Sequence, residues 1–183
     1  MKFNISCNSI LAPMRILQDQ LDKLDINYLK HEEGYVEIAG NLPSDMRPQL
    51  DDKLSRYSVA IIEDEKECLV QRVKNILFEV VNTNKHQVQT LSCYLTDRLG
   101  FSYGYISGLF ASHTFCSIEQ YTIMLRVERA KRMIIEDELS LKQISDALSY
   151  SSLGHFSKQF KKSTGITLSD FRKIILRRKN GNY

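Results

Sequence analysis

The stretch "GFSYGYISGLFASHTFC" at 100–116 and the stretch "SYSSLGHFSKQFKKSTG" at 149–165 share one skeleton. Leu95, Leu99 and Phe101 match Ile144, Leu148 and Tyr150 at an offset of 49 residues. Phe110, Thr114 and Tyr121 match Phe160, Thr164 and Phe171 at an offset of 50, so one residue is inserted between Tyr150 and Phe160. The small residues Thr96 and Ser145 correspond as well. Recurrence of this kind marks one supersecondary unit used twice, and it limits the second half of the chain to folds that can stack two such units.

Each copy reads as a short helix, a tight turn and a second helix. In the first, "LSCYLTDRL" is the supporting helix, Gly100 supplies a turn with positive φ, and Ser102 caps "YGYISGLFAS". In the second, "LKQISDAL" supports, and Ser151 or Ser152 caps "LGHFSKQFKK". This is a helix-turn-helix pattern: one helix buries apolar residues and braces a second, whose N-terminal half can enter a major groove. Between the copies, "CSIEQYTIMLRVERAKRMIIEDE" reads as one longer helix with Ile118, Tyr121, Leu125 and Arg129 along it.

Charge separates the halves. Residues 1–85 hold 11 Lys/Arg and 14 Asp/Glu, whereas residues 86–183 hold 14 and 8. Within the second half, residues 86–118 are neutral, residues 119–138 carry a net −1, and residues 139–183 carry +7. Cations gathered in one small module are an electrostatic footprint for a polyanion. No apolar run is long enough for a membrane helix, and "MKFNISCNSILAPM" lacks the basic and apolar regions of a signal peptide. A cytoplasmic location is therefore expected, with Cys7, Cys68, Cys93 and Cys116 as reduced, buried thiols.

The first 62 residues alternate between short elements. "KFNI" places Phe3 and Ile5 on one face of a strand. Pro13 can open a helix with Met14, Leu17, Leu21 and Leu24 as its stripe. "INYLKHEEGYVEIAG" reads as two strands joined at Gly34. Ser44 is the expected N-cap of a helix with Met46, Leu50 and Leu54, and "YSVAII" is a further strand. The order β-α-β-β-α-β predicts a small ferredoxin-like sandwich, so the fold class is α+β: residues 1–62 as a sensory or interaction domain, 63–85 as a connecting helix, and 86–183 as an all-α domain. The connecting helix carries a sustained apolar face of Leu69, Val70, Val73, Ile76, Leu77, Val80 and Val81.

On "YTIMLRVERAKRMI", "LSLKQISDALSYSSLGHFSKQFKKSTGITLSDFRK" and the half-matching first copy, residues 86–179 resemble the DNA-binding domain of the AraC/XylS family of bacterial transcription regulators. The resemblance implies two helix-turn-helix units entering successive major grooves on one face of a duplex. Three framework positions depart from the family pattern: Ser149 replaces the usual glycine of the second turn, Phe115 stands where "TG" is expected, and Leu168 replaces a common proline. The N-terminal half weakly resembles the heavy-metal-associated ferredoxin-like domains of some small regulators of this type. Their Cys-x-x-Cys positions fall on Ile10 and Pro13 here, and Cys7 is alone, so no metal and no cofactor is expected.

Matching the family's pattern, the base-facing residues of the second reading helix are Leu153, Gly154, His155, Ser157 and Lys158; those of the first are Tyr103, Gly104, Ser107 and Gly108. Lys158 can donate to guanine, His155 to a base or a phosphate, and Leu153 can touch a thymine methyl. Phosphate contacts are expected from Ser102, Ser152, Lys161, Lys162 and Arg126, with Arg129 and Arg132 as further candidates. Arg129 could instead pair with Glu128 or Asp146. Phe156 and Phe160 are core, and Tyr105 is core or surface. Two glycines inside the first reading helix fit either close backbone approach to DNA or a helix that reads little.

No Gly-rich phosphate loop, paired metal ligands or Ser-His-Asp order stands out, which excludes the common enzyme classes. Double-stranded DNA is the implied partner, with RNA polymerase or a second protein as a further one, an effector that is not specified, and a homodimer as a compatible state. The alternative reading is a protein-interaction or metal-handling module whose DNA-binding half is vestigial.

Overall fold

The structure is a computed structural model that describes residues 11–30, 35–40, 42–83, 90–136 and 138–181. The chain divides into two compact units, Met1–Ile76 and Leu77–Tyr183.

In the first unit, α1 (Leu11–Lys23) packs against α2 (Met46–Ser55). Between them β1 (Tyr28–Lys30) pairs antiparallel with β2 (Val36–Ile38), with Tyr28 opposite Ile38 and Lys30 opposite Val36. Leu21, Leu50 and Leu54 form the buried centre, covered by Ile16, Leu17, Leu24, Ile26, Tyr28, Val36, Val59 and Ile61. The complete βαββαβ order is not formed by the described residues. "KFNI" and Gly34 lie outside them, and "YSVAII" is not a strand. Its alternation is real, since Val59 and Ile61 both pack inward. However, Ser58 adopts the left-handed region at φ 56° and the Val59 amide donates back to the Leu54 carbonyl. The segment therefore closes α2 as a Schellman cap rather than joining the β1–β2 ladder. Ser44 does not cap α2 either; Asp45 holds that place in a helical conformation, without a side-chain cap bond.

The long helix α3 (Glu65–Asn82) carries the division between the units. Asp64 Oδ1 accepts from the Glu67 amide, which caps a first turn already acidic through Glu65 and Glu67 and so suited to the helix dipole. Leu69, Val70, Val73, Ile76, Leu77 and Val81 of the expected apolar face are buried.

The second unit continues with α4 (Leu91–Leu99), α5 (Tyr103–Thr114), α6 (Ile118–Glu136), α7 (Leu141–Ala147), α8 (Leu153–Thr164) and α9 (Leu168–Lys179). The repeat recurs in atomic detail. Ser102 accepts from the Tyr105 amide and Ser152 from the His155 amide, capping α5 and α8. Thr114 Oγ1 donates to the carbonyls of Phe110 and Cys116, as Thr164 Oγ1 does to those of Phe160 and Ile166. Phe110 meets Tyr121 edge-on at 5.3 Å, and Phe160 meets Phe171 edge-on at 5.6 Å. Around α7 and α8, one core joins Val127, Ala130 and Ile134 of α6 to Ile144, Leu148, Tyr150, Phe156, Phe160 and Leu168.

Two of the framework departures keep the left-handed turn of the other copy at a cost in strain. Gly100 and Gly165 are left-handed at φ 74° and 80°, and their repeat counterparts Ser149 and Phe115 are left-handed too, at 58° and 56°. Around Ser149 the Tyr150 amide reaches the Ser145 carbonyl and the Ser149 amide reaches that of Asp146, a Schellman pair. Phe115 is 94% exposed, so little packing offsets its backbone strain. Left-handed φ costs a residue with a Cβ about 1–2 kcal/mol, against about 0.5–1 kcal/mol of extra unfolded-state entropy for glycine. Phe115→Gly is therefore expected to stabilise the unit by up to about 1.5 kcal/mol, read as a rise in denaturant midpoint at unchanged slope. A fall would mean that the ring contributes more than its exposure allows.

The thiols depart from expectation: Cys93 is exposed, and Cys68 and Cys116 are half-buried. Cys7 lies outside the described residues. Partial burial pushes the Cys68 thiol up, and it donates to the Ile62 carbonyl.

Candidate nucleic-acid interface

Helix α8 buries Phe156 and Phe160. Its other face is consequently exposed, because residues three and four apart share a stripe on a helix. Gly154, Lys158 and Lys161 form one exposed stripe, with His155 and Lys162 on the next and Leu153 at the helix start; Ser157 is half-buried beside them. None of the three lysines forms an ion pair among the described residues. The His155 ring stands edge-on to Tyr150 at 5.5 Å, and its Nδ1 lies 3.4 Å from Ser151 Oγ. Ser102 and Ser152 accept at their oxygens to cap their helices, and each hydroxyl keeps its own proton to donate. The expected second-copy residues thus share one surface.

Helix α5 is built alike but presents a bare face. The residues in the places of Gly154, Lys158, Lys161 and Lys162 are Gly104, Gly108, Ala111 and Ser112. A Cβ added at Gly104 or Gly108 would meet nothing within 4 Å, so no contact inside the chain requires glycine there. Ser107 Oγ turns back to donate to the Gly104 carbonyl at 3.2 Å. Tyr105 is surface, its ring tilted against Phe101 at 5.4 Å.

Tyr103 is also committed within the chain. Its hydroxyl donates to Glu119 Oε1 of α6 at 2.6 Å. Desolvation first, and then this bond, push the phenol up to about 12, while the bond from Tyr103 holds the Glu119 carboxyl below its ordinary value. Across neutral pH the pair is a neutral phenol donating to a carboxylate. Glu119 was invisible to the sequence argument, being sixteen residues from its partner and on another helix.

The arginines of α6 divide. The Arg126 guanidinium lies over the Tyr150 ring at 5.7 Å, a cation–π contact that leaves it half-buried. Arg129 pairs with neither Glu128 nor Asp146: it donates to the Val81 carbonyl at the end of α3, and Glu128 pairs with Lys131 instead. Arg132 donates to Asn82 Oδ1 at 3.1 Å. Two cations thus serve the carbonyl-rich end of α3, where helix dipole and unpaired acceptors favour positive charge. Those contacts take up groups that the sequence offered to phosphate.

Residues 95–174 match the helix-turn-helix domain family known as HTH_18. This region is a helix-turn-helix domain of the kind found in DNA-binding transcription regulators. Over 150 residues the chain is 29% identical to YobQ of Bacillus subtilis, an uncharacterised helix-turn-helix-type transcriptional regulator, covering 82% of this chain and 55% of that protein. It is 32% identical over 81 residues to the Msm operon regulatory protein of Streptococcus mutans, covering 44% of this chain and 29% of that one. The chain spans less than two thirds of the length of these relatives. A solved AraC-type transcriptional regulator structure from Chromobacterium violaceum superposes with a TM-score of 0.54 at 19% identity, over 60% of this chain and 93% of that one, which supports the fold. Nothing in these likenesses supports a heavy-metal-associated N-terminal domain. Among the described residues, no three His, Cys, Asp or Glu gather as metal ligands would, and no helix is long and apolar enough to cross a membrane.

Proposed function

We propose that this chain is an AraC-type transcription regulator that acts by binding double-stranded DNA rather than by catalysis. In this reading residues 86–183 hold the DNA through two helix-turn-helix units in successive major grooves. The observation that carries it is the pair of equivalently capped helices, α5 and α8, of which α8 exposes three cations without ion pairs. Lys158, His155, Ser157, Gly154 and Leu153 face bases; Lys161, Lys162, Ser152 and Ser102 hold phosphates. Arg126 joins the phosphate set through the face not stacked on Tyr150. The first unit positions more than it reads. Residues 1–62 serve as a sensory or interaction part, joined through 63–85, and the site of action is the cytoplasm, with RNA polymerase or a second protein as the further partner.

Each phosphate contact releases counterions, so the logarithm of the affinity for duplex DNA should fall linearly with log salt, by about 0.9 in slope per contact. Lys161→Ala with Lys162→Ala is expected to lower that slope by about 2 and to weaken all sequences alike. A gel-shift titration over a salt series checks this; an unchanged slope would remove these lysines from the interface.

A further inference from the structure

Of the nine Lys/Arg in residues 139–183, only three lie on α8. Five lie on α9: Arg172, Lys173, Arg177, Arg178 and Lys179. Its one acid, Asp170, is held at the helix start by Thr167, which both donates to its carboxylate and caps its amide. Packing ends early on α9. Leu168, Phe171 and Ile175 reach the core, and every residue from Leu176 to Gly181 is exposed. Lys173, Arg177, Arg178 and Lys179 form no ion pair among the described residues. Cations in a last turn suit the helix dipole, but that accounts for neither Lys173 nor so long a basic segment beyond the core.

The repeat gives this segment a direction. α9 leaves α8 through the same junction by which α6 leaves α5: the edge-on ring pair, the doubly donating threonine, and a capping hydroxyl that is Ser117 in one copy and Thr167 in the other. This direction rests on the two-groove reading above. If α5 and α8 occupy successive major grooves on one face, α6 must run along the duplex between them. Its 19 residues span about 28 Å, close to the roughly 34 Å of one helical turn. The same departure from the second unit sends α9, 12 residues long, a further ~18 Å along the duplex, past the groove that α8 reads.

We propose that the exposed end of α9, through Lys173, Arg177, Arg178 and Lys179, is a further phosphate-binding surface that grips DNA flanking the second half-site without reading its sequence. The footprint on DNA is then lopsided, longer on the side of the second unit.

The test uses the full chain and a site it selects from a random library, with the second half-site marked as the one whose preference Lys158→Ala relaxes. Two further duplexes have one flank or the other trimmed to the edge of its half-site. For wild type, trimming beyond the second half-site should lower affinity several-fold and reduce the salt slope by about 3–4, while trimming the other flank should change neither. Arg177→Gln with Arg178→Gln and Lys179→Gln should bind the untrimmed duplex about as weakly as wild type binds the trimmed one, and should lose most of the response to trimming. The wild-type comparison does not depend on how the variant folds. Equal responses to the two trims would overturn the flanking contact while leaving the two-groove reading intact. Failure to bind any duplex would overturn that reading, and the flanking contact with it.

Discussion

Phe160→Ala should unfold the second helix-turn-helix unit under mild conditions. The Phe160 ring is fully buried and lies between two others, 6.1 Å from Phe156 and 5.6 Å from Phe171. It therefore ties α8 both to its own preceding turn and to α9. Removing a buried phenyl group costs about 3–5 kcal/mol, because the cavity cannot fully collapse. That is a large share of the roughly 5–15 kcal/mol that holds a typical domain together. The loss spreads, since Val127, Ala130 and Ile134 of α6 belong to the same core. Thermal unfolding followed by circular dichroism should show a midpoint lower by at least about 10 °C, with DNA binding lost before any surface contact is changed. A shift of only a degree or two would mean that the rings neighbouring Phe160 close over the gap and that α8 is braced by something else.

Much of the second half was legible because its signals are local. Apolar spacing at helical period, Ser102 and Ser152 as caps, and a glycine at position 100 each act within a few residues, and the repeat allowed one copy to check the other. Ser149 and Phe115 read only as departures from pattern, yet both adopt the left-handed turn of their counterparts Gly100 and Gly165. The exposed face of α8 followed from the burial of Phe156 and Phe160. What escaped is non-local. "YSVAII" reads as a strand, but a strand also needs a partner edge, and Ser58 turns the chain into a helix cap instead, with Val59 and Ile61 packed inward. Arg129 and Arg132 meet groups 48 and 50 residues away in sequence, and Tyr103 meets Glu119 across two helices. Long side chains with several equally plausible partners are where sequence reasoning runs out. The +7 balance falls between 139 and 183 but only partly on α8, since most of those cations lie on α9.

Lys158→Ala should relax base preference at one or two adjacent positions of the preferred site, whereas Ser107→Ala should leave preference nearly unchanged. A group that meets only phosphate gives uniform affinity, while one that meets a base edge gives discrimination. Lys158 is exposed one turn from Gly154 on the outer stripe of α8, and no carboxylate among the described residues holds its ammonium. The glycine before it leaves room for bases to approach, and His155 stands one residue further round. Loss of a good polar base contact costs about 1–3 kcal/mol in discrimination, which is roughly 5- to 150-fold between the favoured and disfavoured base. In the first unit the same stripe is Gly104, Gly108 and Ala111, with no polar side chain to read with. Ser107, beside it, spends its hydrogen on the Gly104 carbonyl, and Tyr103 spends its own on Glu119. Selection of sites from a random duplex library, run with each variant at one fixed salt concentration, separates the cases. If Ser107→Ala scrambles a half-site while Lys158→Ala leaves the motif intact, the bare helix is the reader, and the cations of α8 only hold the backbone.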